Sequence, residues 1–127
     1  MNYSLWFLNF ALVIVALIHL IPVTGVLSAE RLFSLYGVRP TSPDMLLLLR
    51  HRALLFALVG GVLLAGAFFP ELRLTAIAMG MASMLGFLLL FALTDDPGPA
   101  LRRVFYVDVF ASLLLAAGAV VKYVVRF

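Results

Sequence analysis

The sequence predicts an all-α membrane protein, a bundle of four transmembrane helices with a short interfacial helix in the first loop. Of its 127 residues, 65% are hydrophobic and 12% are charged, whereas average soluble domains are about 45–50% apolar and about 25% charged. The apolar residues fall into four runs, and each approaches the roughly 20 residues that a membrane-spanning helix needs. We expect one transmembrane domain, residues 1–127, with spans at about 5–27, 45–69, 74–93 and 101–124.

The first span carries its polar side chains on a single face. Asn9 and His19 recur with apolar neighbours at spacings of three and four residues, which places them on one stripe of a helix. Lipid cannot form hydrogen bonds with either side chain, so we expect this stripe to face other helices. The stripe comprises Leu5, Asn9, Leu12, Ala16, His19 and Val23. Pro22, which lacks a backbone N–H, should bend or end the helix.

The longest polar stretch lies between the first two spans. Residues 28–37 are amphipathic enough for a short helix at the membrane surface, and Gly37 is suited to end it. Ser42, Pro43 and Asp44 are typical of a helix start. They supply a side-chain cap, a proline for the first turn and a carboxylate beside the positive end of the helix dipole. The second span should therefore begin here.

Small residues recur at four-residue intervals in the later spans. Such ridges let a neighbouring helix backbone approach closely, either inside the bundle or in a partner protein docked on exposed ridges. They comprise Ala53, Ala57, Gly61 and Ala65 in the second span, and Ala78, Ala82 and Gly86 in the third. In the fourth span, Asp108, Ser112, Ala116 and Ala119 share one face of the helix. Because this face carries a carboxylate, Asp108 should point into the bundle.

Ionisable side chains from several helices should form one polar layer within the membrane. The cluster comprises His19, Glu30, Arg50, His51, Arg52, Arg103 and Asp108. An arginine at the bilayer centre costs about 2.5–3.5 kcal/mol, so such residues need partners or an interfacial depth. With a rise of 1.5 Å per residue, His19, Arg50 and Asp108 lie roughly 9–12 Å from the same membrane boundary. Glu30 and Arg103 are near enough to join them from the interface.

Two roles are open for this cluster. In a structural role, Asp108 neutralises Arg50 or Arg52, while His19 donates a hydrogen bond to a carbonyl or to Asn9. In a binding role, the cluster holds an anionic or quinone-like head group while the apolar bundle holds its tail. Arg50 and Arg52 point about 160° apart on a helix. We expect Arg50 to face inward and Arg52 to reach toward lipid head groups or a partner.

Composition and motifs exclude several classes of function. The sequence contains no cysteine, which excludes disulfides, thiolate metal sites and cysteine nucleophiles. The net charge of +3 comes from basic residues at the ends of apolar runs, a pattern of membrane anchoring and not of nucleic-acid binding. No phosphate-binding loop, nucleophile elbow or zinc-protease motif is present, so we favour a protein without enzymatic activity.

No cofactor is predicted, with haem and quinone as the alternatives. His19 and His51 lie at similar depth on different helices, which suggests bis-imidazole haem ligation, but both rings would need to face one plane. Two histidines and an aspartate lack the spacing of zinc sites. Met79, Met81 and Met84 in the third span suggest a soft metal site, although methionine is more often a flexible packing residue.

Basic residues are unevenly divided between the two sides of the membrane. Four spans place both termini on one side, and six basic residues flank the first and third loops against three on the other side. The six are Arg31, Arg39, Arg50, Arg52, Arg102 and Arg103, and the three are Arg73, Lys122 and Arg126. Because basic residues are enriched on the cytoplasmic side, we expect loops one and three in the cytoplasm and both termini in the periplasm.

Several short segments carry a resemblance to a known family. They are His19-Leu20-Ile21-Pro22, Ala29-Glu30-Arg31-Leu32, Tyr36-Gly37, residues 49–56 and Val107-Asp108-Val109. On these segments, and over nearly its whole length, the chain resembles the small bacterial four-helix membrane proteins often labelled phosphopantetheine adenylyltransferase. That label names a soluble nucleotide-binding enzyme, whose His-x-Gly-His motif this sequence lacks. In helix count and in its arginine-bearing second span, the chain is more loosely similar to DoxX-like proteins, some of which are membrane subunits linked to quinone reduction.

The expected function is that of a non-enzymatic protein of the bacterial inner membrane, either an accessory subunit or a binder of a lipophilic anionic ligand. A quinone-linked redox subunit and a small transporter that acts as an oligomer are the alternatives. Membrane lipids are the expected partners, together with further copies of the chain or a larger membrane complex. Nucleic acid is not an expected partner.

Overall fold

A computed structural model of the protein describes residues 2–125 and contains five α-helices. They are α1 (Tyr3–Leu20), α2 (Ala29–Tyr36), α3 (Pro43–Phe68), α4 (Arg73–Ala92) and α5 (Pro99–Val120). Shorter helical segments flank them: 3₁₀ turns at Ile21–Val26 and Pro70–Leu72, and a π-helical turn at Val121–Val125. No strand occurs in residues 2–125, and the predicted all-α fold is confirmed.

Four of the helical segments are long and apolar enough to cross a membrane. They are Tyr3–Val26, Pro43–Phe68, Pro70–Ala92 and Pro99–Val125, with 24, 26, 23 and 27 residues. At 1.5 Å per residue, each is longer than the roughly 30 Å hydrocarbon core of a bilayer. The protein is therefore a multi-pass integral membrane protein, and its helices lie close to the expected spans.

Local sequence signals explain where the helices begin and end around α2. The Ser28 hydroxyl accepts a hydrogen bond from the Arg31 backbone N–H at 3.2 Å. Gly37 ends α2 in the left-handed region, with φ 69°, and its N–H donates to the Phe33 carbonyl at 2.8 Å. Ser42 likewise caps α3. These starts and stops were all expected from the sequence.

The four long helices follow one another around the bundle in the order α1, α3, α4, α5, and α2 packs across one end, against α5 and the turn after α1. The predicted inward stripe of α1 is confirmed, because Leu12, Ala16 and His19 are buried. Pro22 acts as predicted, since α1 changes to a 3₁₀ turn beside it. The central core comprises Leu8, Leu12, Val15, Ala16, Leu63, Ala67, Ala76, Met84, Ala111 and Leu115.

The close approach between α1 and α3 occurs at Gly60, not at Gly61. A Cβ atom on Gly60 would lie 2.9 Å from Leu20 Cγ and 3.2 Å from the Ala16 carbonyl oxygen. Gly61 is exposed, and a Cβ there would meet nothing within 4 Å. At Gly61 the predicted ridge therefore faces outward and makes no contact within the bundle. Spacing alone could not separate two adjacent glycines, which point about 100° apart.

The predicted ridge of the third span also faces mostly outward. Ala78 and Ala82 are exposed on α4, whereas Ala76, Gly80 and Met84 are buried. Small residues occur on every face of α4, so their spacing did not identify the packed face. In α5 the predicted face is closer to the observed one, because Ser112 is buried and Asp108 half-buried.

Candidate functional site

A cavity of about 370 Å³ lies between α1, α2, α3 and α5 at the end of the bundle that α2 covers. Its apolar lining comprises Ile18, Ile21, Pro22, Leu35, Phe56, Val104 and Val107. Its polar lining comprises His19, Ser34, Tyr36, Arg103 and Asp108. The lining is therefore mainly apolar with a few polar groups, and most of its residues belong to the membrane-spanning helices.

The packing of α1 against α5 differs between the two ends of the bundle. Away from α2 the helices touch at Gly118, where a Cβ atom would lie only 3.3 Å from Leu8 Cα. Near α2 the cavity separates them, and side chains of α2 lie over the gap. Arg103 joins α5 to α2, because its Nη2 donates to the Ser34 carbonyl oxygen at 3.3 Å. The cavity is thus a wedge between α1 and α5, and side chains of α2 and α3 also line it.

His19 forms part of the wall and is almost fully buried, with 3% of its surface exposed. Its Nδ1 lies 3.0 Å from the Val15 carbonyl oxygen, and its Nε2 lies 3.1 Å from Ser83 Oγ. A carbonyl only accepts hydrogen bonds, so Nδ1 carries the hydrogen, and in the neutral ring Nε2 accepts from the Ser83 hydroxyl. The expected donation to a carbonyl is confirmed. The partner across the bundle is Ser83, not Asn9.

The arginine that faces the site is Arg52. Its guanidinium carbon lies 4.7 Å from the ring centre of Tyr36 and 4.8 Å from that of Phe56. Arg50 is half-buried, lies outside the cavity lining, and its Nε has no hydrogen-bond partner among the described residues. Arg50, which we expected to face inward on the condition that the small-residue ridge of this helix packs in the bundle, is therefore not a cavity residue. Arg52 also lies outside the lining and reaches the site through the Tyr36 and Phe56 rings. On a helix Phe56 lies about 40° from Arg52 but about 120° from Arg50.

Asp108 lines the cavity without a direct cationic partner among residues 2–125. The ion pairs found there are Arg39 with Glu30 at 3.0 Å and Arg102 with Asp96 at 3.4 Å. The pairing of Asp108 with an arginine of the second span, which belongs to one of the two roles left open, is not made as a direct ion pair among these residues. The aromatic rings of α2 and α3 hold Arg52 by cation–π contacts instead.

Tyr36 is a member of the site that the sequence did not reveal. Only 6% of its surface is exposed, and its hydroxyl has no hydrogen-bond partner among the described residues. Burial raises the pKa of the Tyr36 phenol; the positive charge of Arg52 offsets part of this, and the Asp108 carboxylate adds to it. The signal that could have identified Tyr36 is its place on the inward face of an amphipathic helix.

The other members of the predicted cluster lie apart from the cavity. Glu30 is exposed and pairs with Arg39, whose guanidinium lies 4.0 Å above the Phe33 ring. His51 is exposed and does not line the cavity. The structure therefore brings together His19, Arg103 and Asp108, with Arg52 beside them through its aromatic neighbours, and it leaves out Glu30, Arg50 and His51.

The histidines and carboxylates of the described residues are not grouped as ligands of a metal ion or a haem. Within residues 2–125, no three histidine, aspartate or glutamate side chains are close enough to hold a metal ion. His19 and His51 are not arranged as a pair, since one is buried with both ring nitrogens engaged and the other is exposed. The site instead offers an apolar wall, a carboxylate acceptor and donors from Tyr36 and Arg103.

Comparisons of the chain with protein-family models, with curated proteins and with solved structures give no match.

Proposed function

We propose that this membrane protein binds a lipophilic molecule in the cavity between α1, α2, α3 and α5. The observation that carries the proposal is the cavity wall, in which seven apolar side chains surround five polar ones. Small-molecule sites are concave and mostly apolar, with a few polar groups that orient the ligand, and they measure about 300–1,000 Å³. The cavity of about 370 Å³ fits this description.

The position of the cavity suits a ligand that arrives through the lipid. Its wall is formed by membrane-spanning helices, so a molecule dissolved in the bilayer meets it without crossing water. The excess of basic residues beside the first and third loops supports a cytoplasmic location for α2. We therefore propose that the cavity serves the cytoplasmic leaflet of a bacterial inner membrane.

A binding role accounts for the polar groups better than a structural role does. A structural cluster would pair its charges, but Asp108 lies outside the ion pairs of the described residues. The accessory-subunit and quinone-linked hypotheses make narrower claims about the same protein. A protein that co-purifies would support the first of these, and an extracted quinone would support the second.

The test is native mass spectrometry of the protein released from mild detergent, followed by identification of any bound molecule. The variant Val107→Trp places a large ring in the cavity wall next to Asp108. The control Val120→Trp makes the same change on an exposed part of α5 that does not line the cavity. We expect a lipophilic adduct in the wild type and in the control, and a loss of at least tenfold in Val107→Trp.

An adduct of equal abundance in both tryptophan variants would show that the bound molecule lies elsewhere. Absence of any lipophilic adduct from the wild type, even after incubation with total bacterial lipid, would also contradict the proposal. Circular dichroism of both variants confirms that they remain folded, so loss of binding can be assigned to the filled cavity.

A further inference from the structure

The carboxylate of Asp108 determines which head groups the cavity can accept. The side chain is half-buried in the cavity wall, and none of the ion pairs among residues 2–125 includes it. An ionised carboxylate only accepts hydrogen bonds, and an apolar wall offers it no donor. A molecule in the cavity that lacks a donor would therefore displace water from Asp108 and leave the carboxylate unsatisfied.

The charges around Asp108 argue against a charged head group. Arg52 lies over the rings of Tyr36 and Phe56, and Arg103 lines the same cavity. A cationic head group would meet the Arg103 guanidinium in the lining and the positive charge of Arg52 behind the Tyr36 and Phe56 rings, whereas an anionic head group would meet Asp108. A neutral head group with a hydrogen-bond donor avoids both repulsions.

Tyr36 supplies a second polar contact. Its buried hydroxyl has no hydrogen-bond partner among the described residues, and the side chain lines the cavity. His19 does not compete for the ligand, because Val15 and Ser83 already engage its two ring nitrogens. The groups left for a ligand are therefore one strong acceptor, the phenolic donor of Tyr36 and the remaining N–H donors of Arg103.

We propose that the ligand is a neutral lipophilic hydroxyl compound, whose hydroxyl donates to the Asp108 carboxylate and accepts from the Tyr36 hydroxyl. This inference rests on the proposed binding of a lipophilic molecule in the same cavity. A hydroxyl group has one donor and two acceptor lone pairs, so one oxygen serves both contacts. The hydrogen bond to the carboxylate is charge-assisted and is stronger in an apolar surrounding. Long-chain alcohols and alkylphenols share this chemistry.

The test compares matched ligands in lipid nanodiscs at equal mole fractions, with the bound fraction read by native mass spectrometry. The probes are a saturated fatty alcohol, an alkylphenol of similar length, and the methyl ether of each. We expect each hydroxyl compound to bind about tenfold more tightly than its ether, the effect of one hydrogen bond to a charged acceptor. The hydroxyl compound that binds more tightly shows whether the natural ligand carries an aliphatic or a phenolic hydroxyl.

Two variants connect this selectivity to the named residues. Asp108→Asn should reduce the preference for the hydroxyl compound to less than about threefold, because it removes the charged acceptor. Tyr36→Phe should weaken both hydroxyl compounds and leave the ethers less affected. Because Tyr36 lies outside the membrane-spanning segments and Tyr36→Phe keeps the ring, this variant still tests the inference if Asp108→Asn fails to fold. An alkylammonium and a fatty acid are included as charged probes.

The outcomes separate this inference from the proposed function. Equal binding of alcohol and ether, blocked in both cases by Val107→Trp, would overturn the hydroxyl inference and leave the lipophilic site intact. Tighter binding of the alkylammonium or of the fatty acid would also overturn it. If Val107→Trp blocks the binding of none of the probes, the lipophilic site itself is overturned, and the hydroxyl inference is overturned with it.

Discussion

Single polar side chains inside the bundle differ in whether they have partners. His19 bonds to Ser83 on a helix that lies diagonally across from α1. Ser112, on α5, is buried to a similar degree, but its hydroxyl has no hydrogen-bond partner among the described residues. Ser83 and Ser112 therefore provide a matched comparison. Substitution by alanine removes a hydrogen bond at Ser83, whereas at Ser112 it removes a buried hydroxyl that has no partner among the described residues.

Ser83→Ala should destabilise the protein by about 1 kcal/mol, since it leaves Nε2 of the buried His19 without its partner. Ser112→Ala should be neutral or slightly stabilising, because it removes a buried hydroxyl that bonds to nothing described. Thermal unfolding in detergent measures both changes. Equal destabilisation by the two substitutions would contradict the assigned hydrogen bond.

Tyr36 should make stability sensitive to alkaline pH. Its phenol has an ordinary pKa of 10.0 when the chain is unfolded and a higher pKa when folded, mainly because of burial. Between these values the folded protein holds a proton that the unfolded chain has released. The contribution of Tyr36 is therefore complete below pH 10.0 and is lost as the pH rises through the folded pKa.

We therefore expect the melting temperature of the wild type to fall more steeply above pH 10 than that of Tyr36→Phe. Tyr106→Phe is the control, because Tyr106 is 69% exposed. That variant should follow the wild-type profile. If the melting temperature of Tyr36→Phe falls as steeply as that of the wild type, burial does not raise the pKa of the Tyr36 phenol.

At the level of helices, glycines make close contacts between neighbouring helices. Gly60 meets α1, Gly80 meets side chains of α3 and α5, and Gly118 meets α1 again. On α4 the buried Ala76 lies four residues before Gly80 and shares its face. The positions of the helices in the bundle therefore depend on a few sites, which single substitutions can test.

Gly60→Ala should destabilise the protein by about 1–3 kcal/mol, because the added methyl group meets Leu20 and the α1 backbone at Ala16. Gly61→Ala is the matched control one residue away, where a Cβ meets nothing within 4 Å. It should be neutral or stabilising by up to about 1 kcal/mol through helix propensity. Unfolding in detergent gives both values, and a reversed order would place the α1–α3 contact at Gly61.

Helix positions could be predicted from the sequence, but helix rotations could not. Apolar length identified the spans, and Ser28, Gly37 and Ser42 marked helix ends through local hydrogen bonds that need no tertiary information. The rotation of α3 decides whether Arg50 or Arg52 faces the cavity, and it depends on which neighbouring glycine meets α1. The common depth of His19 and Asp108 was predictable from the helical rise, and both line the cavity.

At the level of the whole molecule, the orientation in the membrane is a testable prediction. The absence of cysteine allows single cysteines to be introduced without background labelling. Glu71→Cys lies in the second loop, whereas Thr41→Cys and Asp95→Cys lie in the first and third, and all three positions are exposed. In spheroplasts, a membrane-impermeant maleimide should label Glu71→Cys at once and the other two only after permeabilisation. The opposite pattern would reverse the orientation.

A photo-crosslinking measurement can detect a lipophilic molecule in the wedge between α1 and α5. A diazirine amino acid at Val104 lies in the cavity wall, and the same amino acid at Leu113, which is 67% exposed, faces away from it. After irradiation in native membranes, mass spectrometry should find one dominant lipophilic adduct at position 104 and a mixture of bulk phospholipids at position 113. The same phospholipid mixture at both positions would contradict the account.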